Sequence, residues 1–281
     1  MAITGIVLCG GRSARMGRDK PWLPWRGRPV LCHVVDRLAE AVDQVLVVSA
    51  PGQPLPSTPA QRVEDHEEGL GPLAGLCAGL CAGLAASGPG LAFVTAADAP
   101  FLTPDFVRAV LAPGHAAAPE AEGRVQTLSA AYPTEAGEAA RSLLDQGRRR
   151  PLDLLEHCDF ERLALSSLPD PESVRGFNTP GEYLAAARAD RPDGLAWVAL
   201  GDSAGDSGSA VSGGEPREVE IGTLGEVLMA AGADARVLEG DSLSPAYVVC
   251  LDGRARVRDA RIPIGAGEKI TVLDESNLGG A

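Results

Sequence analysis

The sequence predicts an α/β chain built on a mostly parallel sheet, followed by a small α+β unit. Three observations carry this expectation. Apolar runs of strand length, beginning at Ile3, Gln44 and Leu91, alternate with stretches of helical periodicity, the pattern of a parallel sheet with crossover helices. Charge shifts along the chain: residues 1–190 carry 17 basic and 23 acidic side chains, and residues 191–281 carry 8 and 15, so the shorter part is far more acidic per residue. Residues 201–214 form a Gly, Ser, Asp and Ala tract of linker composition in which only Val211 is a larger apolar residue. The expected division is therefore 1–190 and 191–281.

Length and composition bound the function. A chain of 281 residues, 45% hydrophobic and 22% charged, has ample core for one large or two ordinary domains. The net charge of −13 argues against a nucleic-acid partner held by a general basic surface. Met1 to Leu8 has no basic n-region and is too short for a secretory h-region, so a cytoplasmic location with no membrane partner is expected. The six cysteines show no Cys-x-x-Cys spacing and read as buried, reduced thiols.

Ile3–Leu8 reads as a buried strand, and it breaks into Leu8-Cys9-Gly10-Gly11-Arg12-Ser13-Ala14-Arg15-Met16-Gly17-Arg18-Asp19-Lys20. Paired glycines can take positive φ and let an anion approach the backbone, so several N–H groups can converge on one phosphate. Arg12, Arg15, Arg18 and Lys20 add four positive charges within nine residues. Only Lys20 and Lys269 are lysines among 25 basic residues. A lysine at the end of this loop points to a need for a compact point charge. The dinucleotide fingerprint and the Walker loop are both absent.

The chain from Pro29 to Val42 repeats Val30, Val34, Leu38 and Val42 at four-residue spacing, an amphipathic helix on which His33 is a packing or surface residue. Gln44–Ser49 is a second strand, and the four prolines between Pro51 and Pro59 make a loop. Arg62-Val63-Glu64 ends another strand before an acidic turn at Asp65 and a helix opening at Gly71-Pro72. In that helix Gly75, Gly79 and Gly83 form one stripe, expected to lie close against a sheet. Leu73 to Ala86 is too short for the ~20 residues that a bilayer requires. The run from Leu91 to Leu102 reads as a buried strand with Asp98 at its carboxyl end, where open α/β sheets gather ligands. A single carboxylate together with nucleotide phosphates is a common Mg²⁺ site. Val125–Tyr132 reads as a strand and Glu135–Leu144 as a helix, followed by the basic segment Gly147-Arg148-Arg149-Arg150. Beyond residue 190, Leu195–Leu200, Glu218–Ile221, Ala246–Leu251 and Lys269–Leu273 read as strands. Thr223 and Glu226 form a capping box at the start of a short helix.

Leu8-x-Gly10-Gly11-x-Ser13-x-Arg15-Met16-Gly17-x-Asp19-Lys20, Gly71-Pro72-Leu73-Ala74-Gly75 and Asp98-Ala99-Pro100-Phe101 resemble the motifs of the MobA family, molybdenum cofactor guanylyltransferases, over about residues 1–190. The resemblance implies a Rossmann-like nucleotidyltransferase domain that joins GMP from GTP to molybdopterin or Mo-molybdopterin. It implies Leu8, Cys9, Gly10, Gly11, Lys20, Asp65 and Asp98 at the nucleotide, Asp98 on Mg²⁺, and Lys20, Asp98 and Arg15 in catalysis. Arg148 and Asn178 become candidate pterin contacts, although Arg148 equally suits a helix C-terminus. Gly176 stands where the family's terminal motif has its first Asn, and Ser49-Ala50-Pro51 lacks an Asn found in many relatives.

The last third resembles the MoaD/ThiS family of β-grasp, ubiquitin-like sulfur carriers. That resemblance implies an E1-like activating partner and a carrier tail at Gly279 and Gly280, with Ala281 placed after the diglycine. Other readings remain open from the residues: use of CTP, a sugar phosphate acceptor, a sulfur carrier with a degenerate transferase domain, or a nucleotide-binding regulator without turnover.

Overall fold

A computed structural model describes residues 2–10, 15–65, 71–200, 215–233, 235–253 and 255–275. These residues divide into two compact units. The first comprises residues 2–10, 20–22, 29–65 and 71–176; the second comprises 15–19, 23–28 and the described residues from 177 onward.

The first unit is organised around β1 (Ile3–Leu8), whose Ile6 and Val7 are fully buried. Removing two such side chains from water contributes about 1.5–3 kcal/mol each. On one side β1 pairs in parallel with β2 (Gln44–Ser49), which pairs in parallel with β3 (Gln61–Glu64). On its other side β1 pairs in parallel with β4 (Leu91–Ala96). Beyond β4 the sheet continues through β5 (Ala117–Ala121), β6 (Ser129–Pro133) and β7 (Glu161–Ala164), in the order β7-β5-β6-β4-β1-β2-β3. Only β6 runs against its neighbours on this path, so the sheet is mostly parallel as expected.

The connections α1 (Val30–Ala39), α2 (Pro72–Ser87), α3 (Pro104–Leu111), α4 (Gly137–Asp145) and α5 (Pro151–His157) complete this unit. Leucines 73, 76 and 80 of α2 share a buried cluster with Ile6, Val94 and Tyr132. The glycine stripe is what lets α2 lie so close. A Cβ on Gly79 would stand 2.7 Å from Ile6 Cγ2, whereas on Gly83 it would be 3.4 Å from Thr4. Phe93 meets Phe106 of α3 edge to face with ring centroids 6.4 Å apart. Among the described residues no helix is long and apolar enough to cross a membrane.

The second unit contains α6 (Pro180–Asp190) and a separate five-stranded sheet. Its strands are β8 (Leu195–Leu200), β9 (Arg217–Glu220), β10 (Tyr247–Leu251), β11 (Ala255–Val257) and β12 (Lys269–Asp274), in the order β9-β8-β12-β10-β11. Central β8 and β12 are parallel, and every other pair is antiparallel. Between β9 and β10 the chain forms α7 (Leu224–Ala230), whose Leu224, Val227 and Leu228 are buried with Ala196, Val198, Ile270 and Val272. The expected capping box is formed: the Glu226 carboxylate accepts from Thr223 N at 2.8 Å, and the Thr223 hydroxyl accepts from Glu226 N at 3.4 Å.

Several boundaries differ from the sequence expectation. Helix α1 ends at Ala39 rather than Val42, and β4 ends at Ala96, leaving residues 97–102 as a turn that Pro100 helps to break. The expected strand over 125–132 shrinks to β6 plus a two-residue strand at Arg124–Val125. Helix α5 and strands β5 and β7 have no counterpart in the sequence reading. In β5, Ala117-Ala-Pro-Glu-Ala121 has almost no β-propensity and is placed by its neighbours. None of the cysteines is in a disulfide, but only Cys9 and Cys77 are buried; the other four are partly exposed.

Candidate active site

Strands β1 to β4 are parallel, so the turns leaving them lie along one edge of the sheet. Leu8 is level with Val48 and Ala96, and Ser49 with Glu64. Backbone hydrogen bonds extend this order one residue further, with Cys9 N donating to Val48 O at 2.8 Å, Ala97 N to Leu8 O at 3.1 Å and Asp65 N to Ser49 O at 2.8 Å. Strand order reverses direction at β1 and β4, the position where open α/β sheets form a ligand crevice. Leu8, Cys9 and Gly10 leave one side of this point, and Asp98 leaves the other.

Across it, Lys20 Nζ donates to Asp98 Oδ2 at 2.5 Å, with side-chain exposures of 21% and 16%. Two residues 78 apart in sequence thus form one charge-neutral pair that remains open to solvent. Asp98 Oδ1 accepts no hydrogen bond among the described residues. The turn bearing Asp98 is held from two sides. Buried His33 of α1 donates from Nε2 to Pro100 O at 3.0 Å. Fully buried Ser173 donates to Phe101 O at 3.2 Å and accepts from Thr103 N at 3.2 Å. The Arg175 guanidinium sits 5.6 Å from the Phe101 ring centroid.

Cys9 is 5% exposed, and burial, reinforced by the negative charge of Asp98, pushes its thiol to about 12 against the pull of Arg62. It is a neutral thiol at ordinary pH, so its sulfur does not act as a nucleophile. Gly10 is exposed, and a Cβ there would meet nothing within 4 Å. Contrary to the expectation of left-handed backbone, φ at Gly10 is not positive. What this glycine provides is open space beside the chain. Gly11 lies outside the described residues. Asp65 stands over the first turn of α2, where a Cβ on Gly75 would be 3.8 Å from Asp65 Oδ2.

Three of the remaining candidates are among the described residues. Arg148 is engaged by Asp153 of α5 through two hydrogen bonds, of 3.0 and 2.5 Å. That pairing holds the Asp153 carboxyl below the usual carboxylate range. Arg15, exposed, and Asn178 both belong to the second unit. Gly279 and Gly280 lie outside the described residues. His33, Ser173 and Gly176 were not read as site residues from the sequence. His33 had the clearest available signal, as a lone histidine on an otherwise apolar helical face.

A mostly parallel sheet with a lysine–carboxylate pair at its reversal point defines an α/β protein with a charged site at the carboxyl ends of its strands. Residues 5–161 match the family described as MobA-like NTP transferase domain, and the chain belongs to that family. It is a nucleotidyltransferase. The chain is 36% identical over 188 residues to a protein of Mycobacterium tuberculosis named "Probable molybdenum cofactor guanylyltransferase", covering 63% of this chain and 92% of that one. A protein of the same name from Mycobacterium avium is 35% identical over 195 residues, covering 67% of this chain and 97% of its own. Among solved structures, the molybdopterin-guanine dinucleotide biosynthesis protein A of Archaeoglobus fulgidus superposes with a TM-score of 0.55 at 22% identity. That match covers 67% of this chain and 99% of the other. A nucleotidyl transferase of Methanothermobacter superposes with a TM-score of 0.51 at 19% identity, over 66% and 95%. At these identities the structural matches speak for the fold.

Proposed function

We propose that the chain transfers GMP from GTP to molybdopterin or Mo-molybdopterin and releases pyrophosphate. The Lys20–Asp98 pair at the sheet's reversal point carries this reading, and the guanylyltransferase names of the mycobacterial relatives support the choice of nucleotide and acceptor. In this mechanism the acceptor's phosphate oxygen attacks the α-phosphorus of GTP in line, the bond to the β-phosphate oxygen breaks, and pyrophosphate leaves. Such a reaction is catalysed mainly by positioning and charge neutralisation.

The backbone of Leu8, Cys9, Gly10 and Gly11 would cradle the nucleotide, Asp65 would serve its pocket, and Lys20 and Arg15 would neutralise phosphate charge. Asp98 fits Mg²⁺ because it is a hard oxygen donor, partly exposed, with Oδ1 uncommitted among the described residues; Mg²⁺ usually takes one or two carboxylates plus phosphates. When bound, the ion would supply Lewis-acid stabilisation of phosphate charge. Lys20 must then exchange its carboxylate partner for phosphate, a small movement of a flexible side chain. Arg148 and Asn178 remain the candidate pterin contacts, and the reaction is assigned to the cytoplasm.

The deciding experiment incubates purified protein with molybdopterin or Mo-molybdopterin, Mg²⁺ and each NTP in turn, followed by mass spectrometry of the product. A guanylylated pterin with GTP alone is expected; a cytidylylated product would reassign the base, and no product would remove the reading.

Residues 191–281 we read as a ubiquitin-like β-grasp domain, with 1–190 as the transferase domain. The order β9-β8-β12-β10-β11 with parallel central strands and one helix between β9 and β10 supports the first assignment. The extent of the mycobacterial matches supports the second. A sulfur-carrier role would require Gly280 to present a free carboxylate. A version ending at Gly280, incubated with an E1-like enzyme and ATP, should then gain the mass of an adenylate; an unchanged mass beside a working carrier would exclude it.

A further inference from the structure

Residues 15–19 of the glycine-rich signature pack within the second unit, among elements from the last third of the chain. Met16 is 1% exposed. Gly17 adopts φ +67, and a Cβ there would stand 2.9 Å from Ile262 Cγ2. The dominant contact belongs to Arg18, which occupies a position that the signature leaves open. Its two terminal nitrogens donate to the two carboxylate oxygens of Glu268 at 2.9 and 2.6 Å, and one of them also donates to Pro263 O at 2.8 Å. The side chains are only 15% and 4% exposed. Gly265 N donates to the same carboxylate at 2.8 Å, so both ends of the pair are satisfied by further hydrogen bonds.

The next stretch is anchored in the same way. Tyr183 of α6 donates to Pro24 O at 2.6 Å, and a Cβ on Gly265 would collide with that hydroxyl. Arg26 pairs with Asp190 at 2.5 Å. Residues 15–19 and 23–28 are therefore both held by groups from residue 183 onward within the second unit.

We propose that Glu268 is a positioning residue for nucleotide binding: through Arg18 it fixes residues 15–19, the part of the glycine-rich signature that runs directly into Lys20. The last third of the protein is then a working part of the transferase, whatever else it carries. This inference rests on the transferase reading of the same loop. The geometry explains why a bidentate buried pair serves the purpose. Removing either partner leaves an uncompensated buried charge, so the loop has one strongly preferred arrangement.

The test uses the full-length chain and two variants. Glu268→Gln removes the anchor's charge, and Val249→Ala removes buried methyl groups from the same unit's core without touching the loop. In Glu268→Gln, the KM for GTP should rise about tenfold while the KM for the pterin acceptor stays unchanged. Amide exchange at residues 15–19 should quicken by about tenfold in the nucleotide-free protein. Val249→Ala should lower Tm while leaving both readouts unaltered, and the exchanged pair Arg18→Glu/Glu268→Arg should recover part of the GTP affinity. An unchanged KM for GTP in Glu268→Gln, or an equal rise in Val249→Ala, would overturn the proposal. Inactivity of the unaltered protein with every NTP would instead remove the transferase reading, and the exchange measurement would still judge the anchor.

Discussion

Gly176 approaches Asp98 so closely that a methyl group on it would stand 2.8 Å from the Asp98 carbonyl oxygen and 3.2 Å from Oδ1. The neighbour is backbone and cannot swing aside. Substitution must therefore move the turn that presents the carboxylate, and shifts of about 1 Å can cost about a hundredfold in rate. Gly176→Ala is expected to lower kcat for nucleotidyl transfer by about tenfold or more with a loss of about 1–3 kcal/mol in stability. Denaturant titration beside steady-state kinetics checks both; unchanged kcat would show that Asp98 tolerates the shift.

The Lys20–Asp98 pair makes a sharper comparison. Asp98→Asn keeps the shape but removes the charge, and should reduce turnover by about a hundredfold or more. Lys20→Ala should weaken GTP binding and slow transfer to a similar degree. Lys269→Ala, the change to the other lysine, should alter neither, since Lys269 opens the central strand β12 of the second unit, where it pairs with Trp197. Equal behaviour of the two lysine variants in GTP titration and pyrophosphate release would remove Lys20 from its assigned role.

Glycines 79 and 83 of α2 should respond oppositely to the same change. Alanine is favoured over glycine in a helix by about 1 kcal/mol. At Gly83 the added methyl meets ordinary contact at 3.4 Å, so Gly83→Ala should be neutral or stabilising. At Gly79 it meets the branched side chain of fully buried Ile6 at 2.7 Å, where overpacking costs about 1–3 kcal/mol. Gly79→Ala should therefore destabilise, and equal midpoints for the two variants would refute the close approach of α2 to β1.

The Arg148–Asp153 pair predicts a pH dependence. The hydrogen bonds from Arg148 hold the Asp153 carboxyl below its ordinary range, so the folded-state pKa is depressed. Stability from this pair is present above the unfolded carboxylate pKa of about 3.9 and is lost as pH falls through the lower folded value. The stability gap between the unaltered protein and Asp153→Asn should be full at about pH 7 and should narrow in strongly acid solution. Urea midpoints at several pH values measure it, and a gap independent of pH would show that the pair contributes only packing.

Much of this architecture was legible locally. The run Ile3–Leu8, the glycine spacing of α2 and the Thr223–Glu226 box each encode their structure within a few residues, and each forms as read. Asp98 stood out at the end of a strand and Lys20 as one of only two lysines; their direct pairing is a product of the sheet. What escaped reading has partners far away. Arg18 meets Glu268 across 250 residues, and nothing in Gly267-Glu268-Lys269 marks one glutamate as buried. Likewise His33 reaches Pro100 only because α1 packs beside the turn after β4. Ala117–Ala121 is a strand through its neighbours' pairing, since alanine and proline carry no strand signal of their own.

The parallel pairing of β8 with β12 bears on how the protein is made. Strand 195–200 must wait for residues 269–274 before its ladder closes, and Arg18 must wait for Glu268. On a ribosome adding about 5–20 residues per second, the segment around Lys20 leaves the exit tunnel many seconds before its anchors are synthesised. A nascent chain can therefore complete the sheet of β1 to β4 early while residues 15–19 remain without their native contacts. The contacts that hold residues 15–19 are then among the last to be completed, because Glu268 is made only near the end of synthesis.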